Sequence, residues 1–100
     1  MAAAELTSKQ RQFLKGKAHA LSPVVRVGKS GLTPAVIEEA KTALRAHELV
    51  KVRIEADDGD DRREMAETLA QDAGAQIVAR VGKVAVLYRA RDEDPTLKLP

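Results

Sequence analysis

An α/β fold with a four-stranded mixed sheet, in the order α-β-α-β-α-β-β, is predicted for this chain of 100 residues. Three observations predict it. Apolar residues recur at helical spacing in three segments, while four other segments are short β-branched or alternating runs. Two β-α-β passages call for right-handed crossovers. Near the end, Gly82-Lys83 separates two strands, and a two-residue loop with glycine first fits a type II′ hairpin.

The elements follow in order. Leu6-Thr7-Ser8-Lys9-Gln10 opens a helix, with Thr7 as N-cap and Gln10 completing a capping box. Leu14, Ala18 and Leu21 fall on one face, and Lys9, Lys15 and His19 on the outer arc. Ser22-Pro23 ends the helix, because the residue before a proline is pushed out of the α region. Val24–Val27 reads as the first strand, and Gly28-Lys29-Ser30-Gly31 as a turn. Thr33 caps the second helix and Pro34 takes its first position. Ile37, Ala40 and Leu44 form its buried stripe, flanked by Val36, Ala43 and a partly buried His47.

From Leu49 to Ala56 the chain alternates: Val50, Val52 and Ile54 face one way, Lys51, Arg53 and Glu55 the other. Asp57–Asp61 leads into a third helix with Met65, Leu69 and Ala73 on its apolar stripe and Gly74 at its left-handed end. In the hairpin, Val81 is set opposite Val84, Ala79 opposite Val86, and Ile77 opposite Tyr88. Residues 6–91 make a single domain; the tail 92–100 is charged, contains Pro95 and is expected to fray.

Composition narrows the function. The chain has no cysteine, which excludes a disulfide scaffold, a cysteine zinc site and a thiol nucleophile. Two histidines make a metal site improbable, and no Ser/His/Asp set suggests an enzyme, so neither cofactor nor catalysis is expected. A charged segment follows Met1–Ala4 at once, so no signal peptide is expected. No apolar run is long enough for a membrane span, and cytoplasm is the expected location. Charge is unevenly placed. Met1–Ile54 carries ten Lys/Arg against four Asp/Glu, and Glu55–Pro100 seven against eleven, within a total of +2. A basic half suits a polyanion.

The most informative motif is Gly28-x-x-Gly31 between strand and helix. Two glycines let the backbone turn tightly and another chain come close, and amides of the loop and helix start converge where the helix dipole favours an anion. Lys29 adds a charge and Ser30 a hydroxyl. KH domains clamp a nucleotide backbone with such a GXXG loop. Gly28-Lys29-Ser30 is not a P-loop, because the glycine that motif needs five positions earlier is Pro23. Lys9, Arg11, Lys15, Lys17 and Arg26 cluster near the loop in sequence, and Lys51 and Arg53, with Arg80 and Lys83, extend the patch more weakly. Phe13 and Tyr88 are the only aromatic residues, so binding is expected to rest on backbone and shape rather than on stacked rings.

Several blocks in order resemble the YhbY-type CRM domain (chloroplast RNA splicing and ribosome maturation). They are Leu14-Lys15-Gly16 with Ala18-His19 and Leu21, Pro23-Val24-Val25, Gly28-Lys29-Ser30-Gly31-Leu32-Thr33, His47-Glu48-Leu49-Val50-Lys51-Val52, and Gly82-Lys83 with Leu87-Tyr88-Arg89. The resemblance implies an α+β two-layer fold like the C-terminal domain of bacterial translation initiation factor three, with sheet order 1-2-4-3 and an added N-terminal helix. It also implies an RNA partner, the precursor of the large ribosomal subunit, and a role in assembling that subunit. On this chain the resemblance implies RNA contacts at Gly28, Lys29, Ser30 and Gly31, with Lys9, Lys15 and Arg26 around them, and Lys51 on the polar strand face joins the RNA-binding set from the alternation. Because the Asp57–Asp61 loop is unusually acidic, the edge of the third helix is expected to stay off the RNA. A monomer is expected. The alternative is a duplex-DNA-binding architectural protein, since related sheet folds bind DNA; a protein adaptor is a third.

Overall fold

The computed structural model describes residues 5–91 and 97–100. Its elements keep the predicted order: α1 (Ser8–Ala18), β1 (Pro23–Val27), α2 (Pro34–His47), β2 (Leu49–Ile54), α3 (Gly59–Ala73), β3 (Gln76–Val81) and β4 (Val84–Tyr88). The sheet order is β1-β2-β4-β3, as the resemblance implies. β1 and β2 run parallel, and β4 is antiparallel to both β2 and β3. α2 returns the chain from β1 to the adjacent β2. α3 then carries it past one position to β3, and the hairpin brings β4 back into the gap.

One sheet face carries Val25, Val27, Val50, Val52, Ile54, Ala85 and Leu87 and is covered by α2 and α3. Ala66, Ala70 and Ala73 beside Leu69 let α3 lie close to the strands. That is the two-layer body. The added helix, α1, sits on the other face, where Leu14 and Ala18 close over Leu49, Val78, Val86 and Tyr88. Thr7 and Gln10 form the reciprocal capping box. Thr33 caps α2 with Pro34 in its first turn. At the end of α3, Gly74 has φ 69° and donates its amide to Gln71 O at 3.2 Å. An L side chain is strained there. Gly74→Ala is expected to cost about 1 kcal/mol and to lower Tm by roughly 4–8 °C in calorimetry; an unchanged Tm would contradict it.

Three local features depart from the expectations, and a fourth had no expectation attached to it. α1 ends at Ala18 rather than at Ser22, its last turn tightened by His19 N–H to Gly16 O (3.3 Å) and Leu21 N–H to Ala18 O (3.0 Å). Leu21 therefore leaves the stripe and is 37% exposed. His47 is exposed, not partly buried, at the end of α2. The hairpin pairs Val81 with Val84 and Ala79 with Val86 as read, but Ile77 faces Leu87 and Gln76 faces Tyr88. A bulge at Val78 takes up the extra residue. Arg11 explains how the bulge is tolerated: its guanidinium donates to the carbonyls of Ile77 and Val78.

The fourth feature is Glu48, buried with φ 62° between α2 and β2. Its carboxylate accepts from the amides of Arg91 (3.4 Å) and Leu97 (3.3 Å). The tail was expected to fray; 92–96 lie outside the described residues, whereas Leu97 and Leu99 pack on the α1 side of the sheet and Gln10 donates to Pro100 O (3.2 Å). The last four residues thus have a seat on the body.

Candidate nucleic-acid interface

Parallel pairing of β1 and β2 puts their C-terminal ends together, with Val27 beside Ile54. Glu55 donates its amide to Val27 O (2.9 Å), and Ile54 donates to Lys83 O (2.7 Å) in the β3–β4 turn. Three turns therefore meet at one end of the sheet: Gly28–Gly31, the segment from Glu55 to Asp58, and Gly82-Lys83.

Within the first turn, Gly31 donates its amide to Gly28 O at 3.0 Å. Gly31 has φ 91°, a conformation that demands glycine, and a Cβ there would lie 3.7 Å from Met65 Cε. Gly28 differs. It has no positive φ, and a Cβ on it would meet nothing within 4 Å. The chain itself makes no demand for glycine at Gly28, so its bare backbone leaves room for a ligand to come close. Lys29 and Ser30 are exposed at the tip.

The expected seat of helix amides is narrower than the sequence suggested. Gly31 has committed its N–H to the turn, Thr33 Oγ1 accepts from Val36 N (3.2 Å), and Pro34 has no N–H to give. The corner offers chiefly the Lys29 ammonium, the Ser30 hydroxyl and the open backbone at Gly28. Lys29 is also engaged: its Nζ lies 3.7 Å from Asp57 Oδ2, and Lys83 Nζ donates to Asp57 Oδ1 at 3.4 Å. The hydrogen bond from Lys83 and then the charge of Lys29 hold the Asp57 carboxyl below its ordinary pKa. The acidic segment thus begins beside the glycine turn. β2 delivers Asp57 to the same end of the sheet as Lys29.

Basic side chains gather on the α1 side. Val25, Val27, Val50, Val52 and Ile54 fill the α2/α3 face, so strand alternation sends Arg26, Lys51 and Arg53 to the other. Arg26 pairs in register with Arg53. Arg53 donates to Glu55, and this bond, with the charges of Arg53, Arg26 and Lys83 behind it, lowers the Glu55 pKa against the opposing effect of burial. Both depressed carboxyls stabilise the fold above the ordinary carboxylate range. Their contribution fades as pH falls through the depressed values, and for Asp57 it is small because its carboxylate is exposed. Lys15 and His19 of α1, exposed and off its apolar stripe as read, reach the rim of this face beside Lys51.

Of the predicted residues, Gly28–Gly31 and Arg26 lie at the end of the sheet where the three turns meet, whereas Lys51, opposite Pro23 at the start of β1, and Lys15 beside it lie farther along the face that carries Arg26. Lys9 is not among them: the start of α1 is tied by Leu6 N–H to Gln76 Oε1 (3.0 Å), at the opposite end of β3 from the Gly82 turn. Arg11, counted with the basic cluster, serves the bulge. Arg53 and Lys83, read as weaker extensions of the patch, lie on this surface beside Arg26 and Lys29, and parallel register with Arg26 was the available signal for Arg53. Phe13 packs against the α1-side core with Lys17 Nζ 5.6 Å from its ring centroid, and Tyr88 is buried, so neither offers an open ring face. The α3 flank of the loop has the opposite sign, with Asp61 and Glu64 beside Leu32 and Met65. No helix of the described residues is long and apolar enough to cross a membrane.

Comparison with known proteins bears on this surface. The family model for the CRS1/YhbY (CRM) domain matches residues 6–89. A Bacillus subtilis protein named "Probable RNA-binding protein YqeI" is 38% identical over 95 residues, covering 95% of this chain and 99% of its own. A Haemophilus influenzae protein named "RNA-binding protein" is 40% identical, covering 95% of each chain. The solution structure of SAV1595 from Staphylococcus aureus matches with TM-score 0.85 and 33% identity over 96% of this chain and all of the other.

Proposed function

Because the chain belongs to the CRS1/YhbY (CRM) domain family, we propose that it is an RNA-binding protein that holds structured ribosomal RNA and assists assembly of the large ribosomal subunit. It works as a cytoplasmic monomer, by binding and without a catalytic step. The observation that carries the reading is the meeting of an exposed glycine turn bearing Lys29 and Ser30 with a sheet face bearing Arg26, Lys51 and Arg53. A phosphate sits at the turn, where Gly28 lets the backbone approach. Neighbouring phosphates follow the cations of the open sheet face, and the acidic α3 flank keeps RNA off the other side. Relatives named as RNA-binding proteins support the same ligand.

Competition at matched salt between folded large-subunit RNA fragments and duplex DNA tests the ligand. RNA is expected to win, and equal or tighter binding of DNA would favour the architectural alternative. If about four to six phosphates are neutralised, log K against log salt should fall with a slope of roughly −3 to −5. A flat dependence would remove the electrostatic mechanism. Co-sedimentation with ribosomal precursors should vanish on complete RNA digestion, whereas its survival would indicate a protein adaptor.

A further inference from the structure

α1 covers the sheet only in part. Beyond its last turn a groove of about 270 Å³ opens over the β3–β4 hairpin. Its floor is aliphatic: Ala79, Val81, Val84 and Val86, with Val81 paired to Val84 and Ala79 to Val86. Val81 is 66% exposed, the most open large apolar side chain among the described residues. The rim carries Lys15, His19 and Lys51, and no carboxylate lines the groove among the described residues. Val86 and Ala79 belong to the core that α1 closes with Leu14 and Ala18, but Val81 and Val84 lie outside it, so that part of the floor is not needed to close the core.

Register connects this groove to the glycine turn. Arg26 pairs with Arg53, Arg53 with Val84, and Val84 with Val81. One row across all four strands thus passes from two guanidiniums to two valines, about 14 Å at the usual strand spacing of about 4.8 Å. Gly28 lies two residues past Arg26.

We propose that the groove between α1 and the β3–β4 hairpin receives one unpaired base of the bound RNA, whose flanking phosphates lie on Lys15 and Lys51. The inference rests on the RNA-binding reading and specifies its ligand: RNA with a bulged or looped-out nucleotide, not continuous duplex. The size fits, being just under the roughly 300 Å³ where pockets for drug-sized molecules begin. The chemistry fits too, because a base has an apolar face and carries a charged backbone with it. Bases inside a duplex are stacked and cannot enter, whereas loops and bulges can splay a base out. The aliphatic floor grips any base by its face, and the cations give the occupant its sign.

The test measures binding of the full chain to three RNAs of one stem: fully paired, with a one-nucleotide bulge, and with the same bulge made abasic. The bulged RNA is expected to bind about tenfold tighter than the abasic one, which has the same charge, and the Val81→Thr, Val84→Thr variant should lose that advantage while binding paired RNA as the parent does. Threonine keeps the β-branched shape, and circular dichroism would verify the fold. Equal binding of bulged and abasic RNA, or a variant that keeps the preference, overturns the groove and leaves the RNA reading intact. Failure of the parent to bind any of the three would remove the RNA reading itself.

Discussion

A Lys29→Asp, Ser30→Asp double variant is expected to bind structured RNA about tenfold or more weakly than the parent, with an unchanged unfolding midpoint. The two changes reverse one charge and add another at the tip of an exposed turn. Nothing that holds the turn depends on either side chain. Its closure is the backbone bond from Gly31 N–H to Gly28 O, its left-handed residue is Gly31, and the helix that follows is capped by Thr33. The ion pair of Lys29 with Asp57 is lost, but both partners are about three-quarters exposed, a setting in which such pairs contribute little to stability. Arg63→Asp is a suitable control, because Arg63 lies on α3 among its own carboxylate partners Asp60 and Glu67. The control should bind RNA almost as the parent does. Equal binding by double variant and parent would take the turn out of the mechanism, and equal loss in the control would reduce the effect to net charge.

The fold was legible because each element announced itself locally. Thr7 with Gln10, Thr33 with Pro34, and Gly74 each mark a helix boundary by a side chain or φ requirement that acts within four residues. The alternation through Val50, Val52 and Ile54 told which side chains of β2 face the larger core. What escaped depended on contacts distant in sequence. The Val78 bulge is stabilised by Arg11, 67 residues away, and a period-2 pattern carries no sign of it. Glu48 carries no local sign of its role, yet it is buried and bonded to amides on Arg91 and Leu97.

The interface divides the same way. The turn was visible as a motif, and the basic half as a count of charges. The alternation told that Lys51 and Arg53 share a face; which cations of α1 and β1 join them was not visible, because that follows from where α1 lies and from parallel register. Lys9 and Lys15 are about one and two-thirds helical turns apart, yet only Lys15 reaches the groove rim. The proximity of Asp57 to Lys29 follows from the same cause: parallel strands align their C-terminal loops, so the segment after β2 falls beside the segment after β1.

That proximity gives Asp57 a role the sequence did not suggest. Its carboxylate lies between the ammonium groups of Lys29 and Lys83, where an RNA phosphate would compete for the same two cations. Those cations hold its pKa below the ordinary carboxyl range, so Asp57 stays charged at neutral pH and opposes the phosphate throughout the working range. Asp57→Asn retains the shape and removes the charge. It is expected to tighten RNA binding between about threefold and tenfold and to steepen the salt slope by about one unit, since two lysines become available to phosphate. Stability should change little, because the pair is exposed. The direction is what tests the placement of the ligand. If phosphate does not approach Lys29 and Lys83, removing a carboxylate there alters only long-range attraction, and the gain should shrink to the level of a distant neutralisation such as Glu67→Gln on α3. Combining Asp57→Asn with Lys29→Asp sharpens the point: most of the gain should disappear, since the freed lysine is no longer present to use it. A gain that persists in full would place the phosphate elsewhere.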